Sequence, residues 1–336
     1  MLTASLLILS LAVAVLAGNH SSLRRHHLEH ARSVEERGKT YTLEVKYQGN
    51  DFLDENQWSY WDGADPSGGQ AKYMSRKNAV NDGIAYVQAD NVAVLKVDNT
   101  NDLAIGKARH SVRITSTKTY NGGLFIADFK AMPHGCSVWP AWWSVGPNWP
   151  SGGEIDIVEG TNVLTNNQLT LHTASGSGCT LVAQSPASGS KAFTGNVVGT
   201  NCADPSNAGC GVVDPDTTSY GHGFDANGAG GVFAHRWDSN GVKAWHFKRS
   251  EIPPDITAGA PTPSTWPEPV VFWSSDNCDV GAHLYDHQLV LDISVCGWAG
   301  GTYPYSGCPG TCEQAVAHKT NFDNAKWMIN YIAVYQ

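Results

Sequence analysis

Beyond Thr40 the apolar residues of this chain tend to recur at every second position, and that period constrains the fold more than any other feature. In "HSVRITSTKTY" (His110 to Tyr120), Val112 and Ile114 alternate with Arg113 and Thr115; in "LVLDISV", Leu289, Leu291, Ile293 and Val295 oppose Asp292 and Ser294. Strand side chains point alternately to two faces, so these runs read as half-buried antiparallel strands. The last segment, Lys326 to Tyr335, puts Trp327, Ile329 and Tyr331 on one face and is predicted to lie inside a sheet. Clusters of Gly, Pro, Asn, Asp and Ser separate the runs, at 185–190, 203–211 and 225–231. There is no long amphipathic helix and no internal repeat. A chain of 336 residues patterned this way predicts an all-β fold, two antiparallel sheets packed as a β-sandwich with long loops.

The N-terminus follows another pattern. Leu6 to Leu16, "LLILSLAVAVL", is an apolar run followed by Ala17 and Gly18, which reads as a signal peptide over 1–17 although no basic residue precedes it. The run is too short to span a bilayer, and the terminal "INYIAVYQ" offers no tail for a lipid anchor. The expectation is a secreted, extracellular protein with no membrane partner. Residues 18–40 are polar and basic, and are expected to form a pro-segment or disordered lead with Arg24-Arg25 as a processing point, leaving 41–336 as the sandwich domain. Within the lead, "HHLEH" (His26 to His30) matches the H-x-x-E-H pattern of some zinc peptidases, but nothing supplies a core around it and it reads as a solvated tail. Asn19, the only N-x-S/T acceptor, falls in the same stretch.

All eight cysteines lie beyond the signal, and an even count in an exported chain implies up to four disulfides. The local pairs Cys202–Cys210 and Cys308–Cys312, which would close short loops, are the expected ones. No C-x-x-C pair occurs, which argues against zinc and redox sites, and neither metal nor cofactor is expected. The net charge of −9 argues against nucleic acid as a partner. With 12 Trp, 12 Tyr and only 16% charged residues, the composition suits a neutral, hydroxyl-rich ligand met by aromatic rings.

One stretch departs from simple alternation. In "NWPSGGEIDIVEGTN" (Asn148 to Asn162), Glu154, Asp156 and Glu159 lie among Ile155, Ile157 and Val158, and a regular pleat sends Glu159 to the face opposite the other two. A solvated strand face or a calcium-binding edge is one reading of such acids. Clustered carboxylates repel, however, and "VWPAWWSVGPNWP" brings Trp139, Trp142, Trp143 and Trp149 close by, the composition of a floor on which sugar rings stack. Paired carboxylates acting on sugars point to glycosidic hydrolysis: a retaining site places them about 5 to 5.5 Å apart, an inverting one roughly 6.5 to 9.5 Å. A β-bulge near Ile157 and Val158 would return Glu159 to the face of its partners.

The motif "GEIDIVEG" has the E-x-D-x-x-E signature of glycoside hydrolase family 16, and "VWPAWWSVGPNWPSGGEIDIVEG" resembles the fungal endo-1,3(4)-β-glucanases, or laminarinases. The resemblance continues through "LTLHT" (Leu169 to Thr173), "VCGWAGG" (Val295 to Gly301) and "NYIAVYQ", over most of 40–336. It implies a jelly roll with a concave substrate cleft, Glu154 as nucleophile, Glu159 as general acid and base, and Asp156 as a helper between them. It further implies Trp142 and Trp149 as glucan-holding rings and His172 as a cleft residue near the acid/base. On sequence alone a lone strand histidine is more often a satisfied structural residue, so both readings of His172 stand beside each other. Trp139 and Trp143 serve either the cleft or the core. The implied activity is retaining endo-hydrolysis of β-1,3 and β-1,3-1,4 glucosidic bonds in laminarin and mixed-linkage glucan, by a monomer. The alternatives are a cell-wall transglycosylase, disfavoured by the longer acid spacing, and a non-catalytic glucan-binding module, disfavoured by the intact acid motif.

Overall fold

The computed structural model describes residues 39–183, 192–226 and 230–336. The signal peptide, "HHLEH", Asn19 and the 185–190 turn cluster expected from the sequence lie outside these residues, as does most of the 18–40 lead.

Period-two patterning yields two eight-stranded antiparallel sheets. The first runs Val271–Ser274, Gly241–Lys248, Gly231–Asp238, Gly123–Ala131, Lys326–Tyr335, Ala93–Lys96 and Ala85–Val87, with Leu43–Tyr47 also on Lys326–Tyr335. The second runs Asn196–Val197, Cys210–Val213, Gln168–His172, Glu154–Glu159, Val138–Val145, His287–Val295, Arg113–Tyr120 and Trp58–Tyr60. The longest α-helices among the described residues are the six-residue Arg76–Asn81 and Cys312–Ala317, and none is long and apolar enough to cross a membrane. The fold is the all-β sandwich that the alternation predicts.

The terminal strand does lie inside its sheet, between Gly123–Ala131 and Ala93–Lys96. Its facing differs from the expectation in one residue. Register shifts around Ile329 and Tyr331 leave Trp327, Ile329, Ile332 and Val334 in the core between the sheets and turn Tyr331 outward. There it packs with Trp245, Trp266 and Tyr335 in a second cluster on the outer face of the first sheet. Burying both faces explains why this sheet carries more apolar residues than plain alternation requires.

Four disulfides tie the loops: Cys136–Cys308, Cys179–Cys278, Cys202–Cys210 and Cys296–Cys312. Cys202–Cys210 is as expected. The Cys308–Cys312 expectation is corrected: Cys308 bonds Cys136 and Cys312 bonds Cys296, with Gly310 between the two cysteines at positive φ and Thr311 capping a new helix at Cys312. The two sulfurs therefore face different partners, and the 296–312 segment is anchored at both ends.

Candidate active site

The Glu154–Glu159 strand lies mid-sheet, flanked by Val138–Val145 and Gln168–His172. On one side Trp142 pairs with Val158 and Trp143 with Asp156, which leaves Ile157 without a partner. On the other, the register slips between Asp156 and Glu159. This is the bulge that the acid spacing requires. Ile155, Ile157 and Val158 enter the core, while Glu154, Asp156 and Glu159 share the opposite face.

The bulge leaves backbone groups that the ladder does not pair, and Asn167 takes them. Its side chain accepts a hydrogen bond from the Glu159 N–H at 2.9 Å and donates one to the Ile157 carbonyl at 2.7 Å, with the residue wholly buried. Sequence reasoning missed Asn167, and its only signal is a polar pair, Asn166-Asn167, opening the next strand.

The acids form the floor of an open cleft of about 1000 Å³. Trp139, Trp143, Trp149 and Trp298 line it, with Arg113 and Asp292 farther along. The Trp139 Nε1–H donates to Glu159 Oε1 at 3.0 Å, and the Trp149 Nε1–H donates to Glu154. The Arg113 guanidinium lies 5.0 Å from the centre of the Trp143 ring and pairs with Asp292 at 3.2 Å. Trp298 meets Trp139 edge-on, their ring centres 5.7 Å apart.

The expectation that Trp142 holds substrate is corrected. Its ring is 1% exposed and meets Phe129 edge-on between the sheets. Along Val138–Val145 the residues Trp139, Ala141, Trp143 and Val145 face the cleft, so Trp142 faces the core by simple alternation. Trp139 and Trp143, left open by the sequence, line the cleft beside Trp149 and Trp298.

His172 stands opposite Glu154 on the adjacent strand, and its Nε2 lies 3.3 Å from Asp156 Oδ2. Gly209, at φ +64°, lets a loop pass close over it; a Cβ there would come within 2.7 Å of the imidazole Cε1. Trp149 rides on a hairpin secured from beneath. His287, between the sheets, donates from Nε2 to the Gly152 carbonyl at 2.9 Å and accepts at Nδ1 from the Ser144 hydroxyl at 2.8 Å. Burial pushes its pKa down to about 4, so the ring is neutral at ordinary pH.

Burial raises every carboxyl of the cluster. Glu154 is pushed up to about 8 by burial and then by the charge of Asp156, against the pull of His172 and of the Trp149 donor. Glu159 is pushed up to about 7 by burial, with the Trp139 bond pulling back and the charge of Glu154 adding to the rise. Asp156 is raised well above the carboxylate range by burial and then by Glu159. Near neutral pH the cluster therefore holds fewer than three negative charges, which suits a site needing one carboxylate and one carboxylic acid together. Two groups among the described residues bring three metal-capable donor atoms within 4.8 Å of one another: Glu154, Asp156 and His172 here, and His134, His222 and Asp225 away from the cleft.

A family model described as "XgeA-like, catalytic GH16 domain" matches residues 58–335. The chain belongs to glycoside hydrolase family 16. Among its relatives, a Schizosaccharomyces pombe protein named as a probable glycosidase is 41% identical over 89% of this chain and 70% of its own length. Proteins of Arthroderma benhamiae and of Aspergillus and Emericella species named endo-1,3(4)-beta-glucanase, some of them as probable, are 35% to 38% identical, and this chain spans only 40% to 65% of their length. The Phanerochaete chrysosporium Laminarinase 16A, solved with 6-O-glucosyl-laminaritriose in donor and acceptor sites, superimposes with a TM-score of 0.82 at 36% identity, covering 89% of this chain and 100% of that one. An elongating family 16 beta-1,3-glucosyltransferase is equally near, with a TM-score of 0.81 at 37% identity, covering 88% and 100%. The family 16 jelly roll accounts for the two sheets, and the chain is a glycoside hydrolase.

Proposed function

We propose that this hydrolase is a secreted endo-β-glucanase that cleaves internal β-1,3 and β-1,3-1,4 glucosidic bonds of laminarin and mixed-linkage glucan with retention, acting as a monomer. The observation that carries the reading is the bulged strand, which places three acids on one face, at the floor of an open, tryptophan-lined cleft. An open cleft admits the interior of a polymer, and rings beside acids hold sugars against the reacting groups. Export is supported by the four disulfides.

Glu154 attacks the anomeric carbon and Glu159 gives its proton to the departing glycosidic oxygen, leaving a glycosyl ester on Glu154. Glu159, now a carboxylate, takes a proton from water, whose oxygen attacks the same carbon and releases the sugar with its original configuration. Asp156 positions Glu154 and shares a proton with it, and His172 lies against Asp156. Trp139 holds Glu159, Trp149 holds Glu154, and Trp143 stacks on the sugar chain beside Arg113. Replacing Glu154 with Gln is expected to abolish turnover of laminarin in a folded protein; near-normal activity would overturn the assignment.

A second reading is favoured by the equal likeness to a glucosyltransferase and to a laminarinase. The same glycosyl ester yields transfer when a sugar hydroxyl replaces water. Analysis of products from linkage-defined oligosaccharides separates the two: shorter reducing products mark hydrolysis, longer ones transfer.

A further inference from the structure

We propose that Trp61 is an outer sugar platform, one strand beyond the described cleft, which binds a pyranose ring of a long glucan several residues from the scissile bond. The proposal rests on the glucan reading above. Its ground is the register of the sheet. Asp156 stands across from Trp143 on the adjacent strand, Ala141 two residues before Trp143 faces Asp292, and Asp292 faces Arg113. These side chains form a row on the cleft face, running across the strands.

The row does not stop at Arg113. On the edge strand, Tyr60 pairs with Ile114 and packs on the core, and the next residue, Trp61, donates its backbone N–H to the Arg113 carbonyl at 3.0 Å. Alternation therefore puts Trp61 on the same face as Arg113. The strand it follows is four strands from that of the acids, and at about 4.8 Å per strand this is roughly 19 Å along the row.

Trp61 is also built to receive a ligand. Its indole is 49% exposed, yet it is held in place: Nε1–H donates to the Ala64 carbonyl at 3.1 Å. That bond spends the polar edge of the ring on the protein and leaves apolar area to solvent. A large ring fixed in advance loses little entropy on contact. Gly63, beside it, has no side chain to cover the indole; among the described residues, its own chain neighbours aside, the atom within 4 Å of where its Cβ would stand is Trp61 Nε1. A sugar ring with one apolar face fits such a surface, and the cleft floor leads a bound chain toward it.

Trp61→Ala and Trp61→Phe are compared with the wild type on laminari-oligosaccharides of increasing length. With Trp61→Ala, kcat/KM on long chains is expected to fall about tenfold through KM, while chains too short to reach the platform are turned over as before; Trp61→Phe recovers much of the loss. An equal loss at all lengths, or no loss at any, overturns the proposal. Calorimetry of the same oligosaccharides with wild-type and Trp61→Ala protein keeps the platform separate from the functional reading. If the wild type cleaves none of these glucans, the endo-glucanase reading falls, and a length-dependent difference in affinity still supports the platform while its absence overturns it.

Discussion

Asn167 and Glu159 are joined by a hydrogen bond that belongs to no strand ladder: the Asn167 side-chain carbonyl accepts from the Glu159 N–H at 2.9 Å while its amide donates to the Ile157 carbonyl. One buried side chain thus satisfies both backbone groups that the bulge exposes. Asn167→Ala removes both bonds and is expected to cost about 2–4 kcal/mol of stability. Because Glu159 is then free to shift, kcat is expected to drop by about tenfold or more in protein that is still folded. Chemical denaturation and steady-state kinetics on laminarin check the two effects together.

The Trp139 donor favours the carboxylate form of Glu159. Trp139→Phe removes the donor and keeps most of the ring, so the Glu159 pKa is expected to rise further. Glu159 must be protonated to act as the acid, and the basic limb of kcat/KM marks the loss of that proton. The limb should move to higher pH, with lower activity overall from the lost positioning. A pH profile of the variant against the wild type tests this; an unmoved basic limb counts against Glu159 as the acid.

The raised pKa of Glu154 also predicts how stability varies with pH. Its folded pKa of about 8 lies above the ordinary 4.5, so the folded state keeps a proton that the unfolded chain loses. The resulting cost is absent below about pH 4.5, grows as pH rises, and is complete once pH passes about 8. Glu154→Gln removes the charge, and is expected to add on the order of 1–3 kcal/mol at pH 8.5 and nothing at pH 4. Melting temperatures at the two pH values check the sign. An inactive variant more stable than its parent is what a site held together against repulsion produces.

Trp142 and Trp149 should part company on mutation. Trp142 is interior, and Trp142→Ala is expected to cost about 3–5 kcal/mol. Trp142→Phe should be far milder, since the buried indole N–H has no hydrogen-bond partner to lose. Trp149 is 49% exposed on its hairpin, so Trp149→Ala should leave the melting temperature almost unchanged and lower kcat/KM by about tenfold or more. Thermal melts beside kinetics distinguish a core residue from a cleft residue.

The acids and the bulge were legible because a period of two is strict, and a residue on the wrong face must be explained locally. The same rule, applied from Trp139 along its strand, would have separated Trp143 from Trp142; the resemblance to the family outweighed it. Tyr331 went astray for the opposite reason, since its strand slips register at a place where apolar residues on both faces hide the slip. Asp292 and Arg113 were visible as polar strand positions, but only the sheet order, which sequence does not supply, brings them to the acids. Cys136 and Cys308 are 172 residues apart, and nothing local marks them as partners.

The bulge at Ile157 obeys a rule of parity. Acids at 154, 156 and 159 differ by an odd step, and one unpaired residue makes that step even again. Deleting Ile157 would leave Glu-Ile-Asp-Val-Glu, whose acids fall on alternate positions and need no correction at all. Strands of six residues with a bulge and of five without one are thus two solutions to the same count. They differ in what lies beneath, one isoleucine more or less in the core, so the spacing of the acids and the packing under them can change only together.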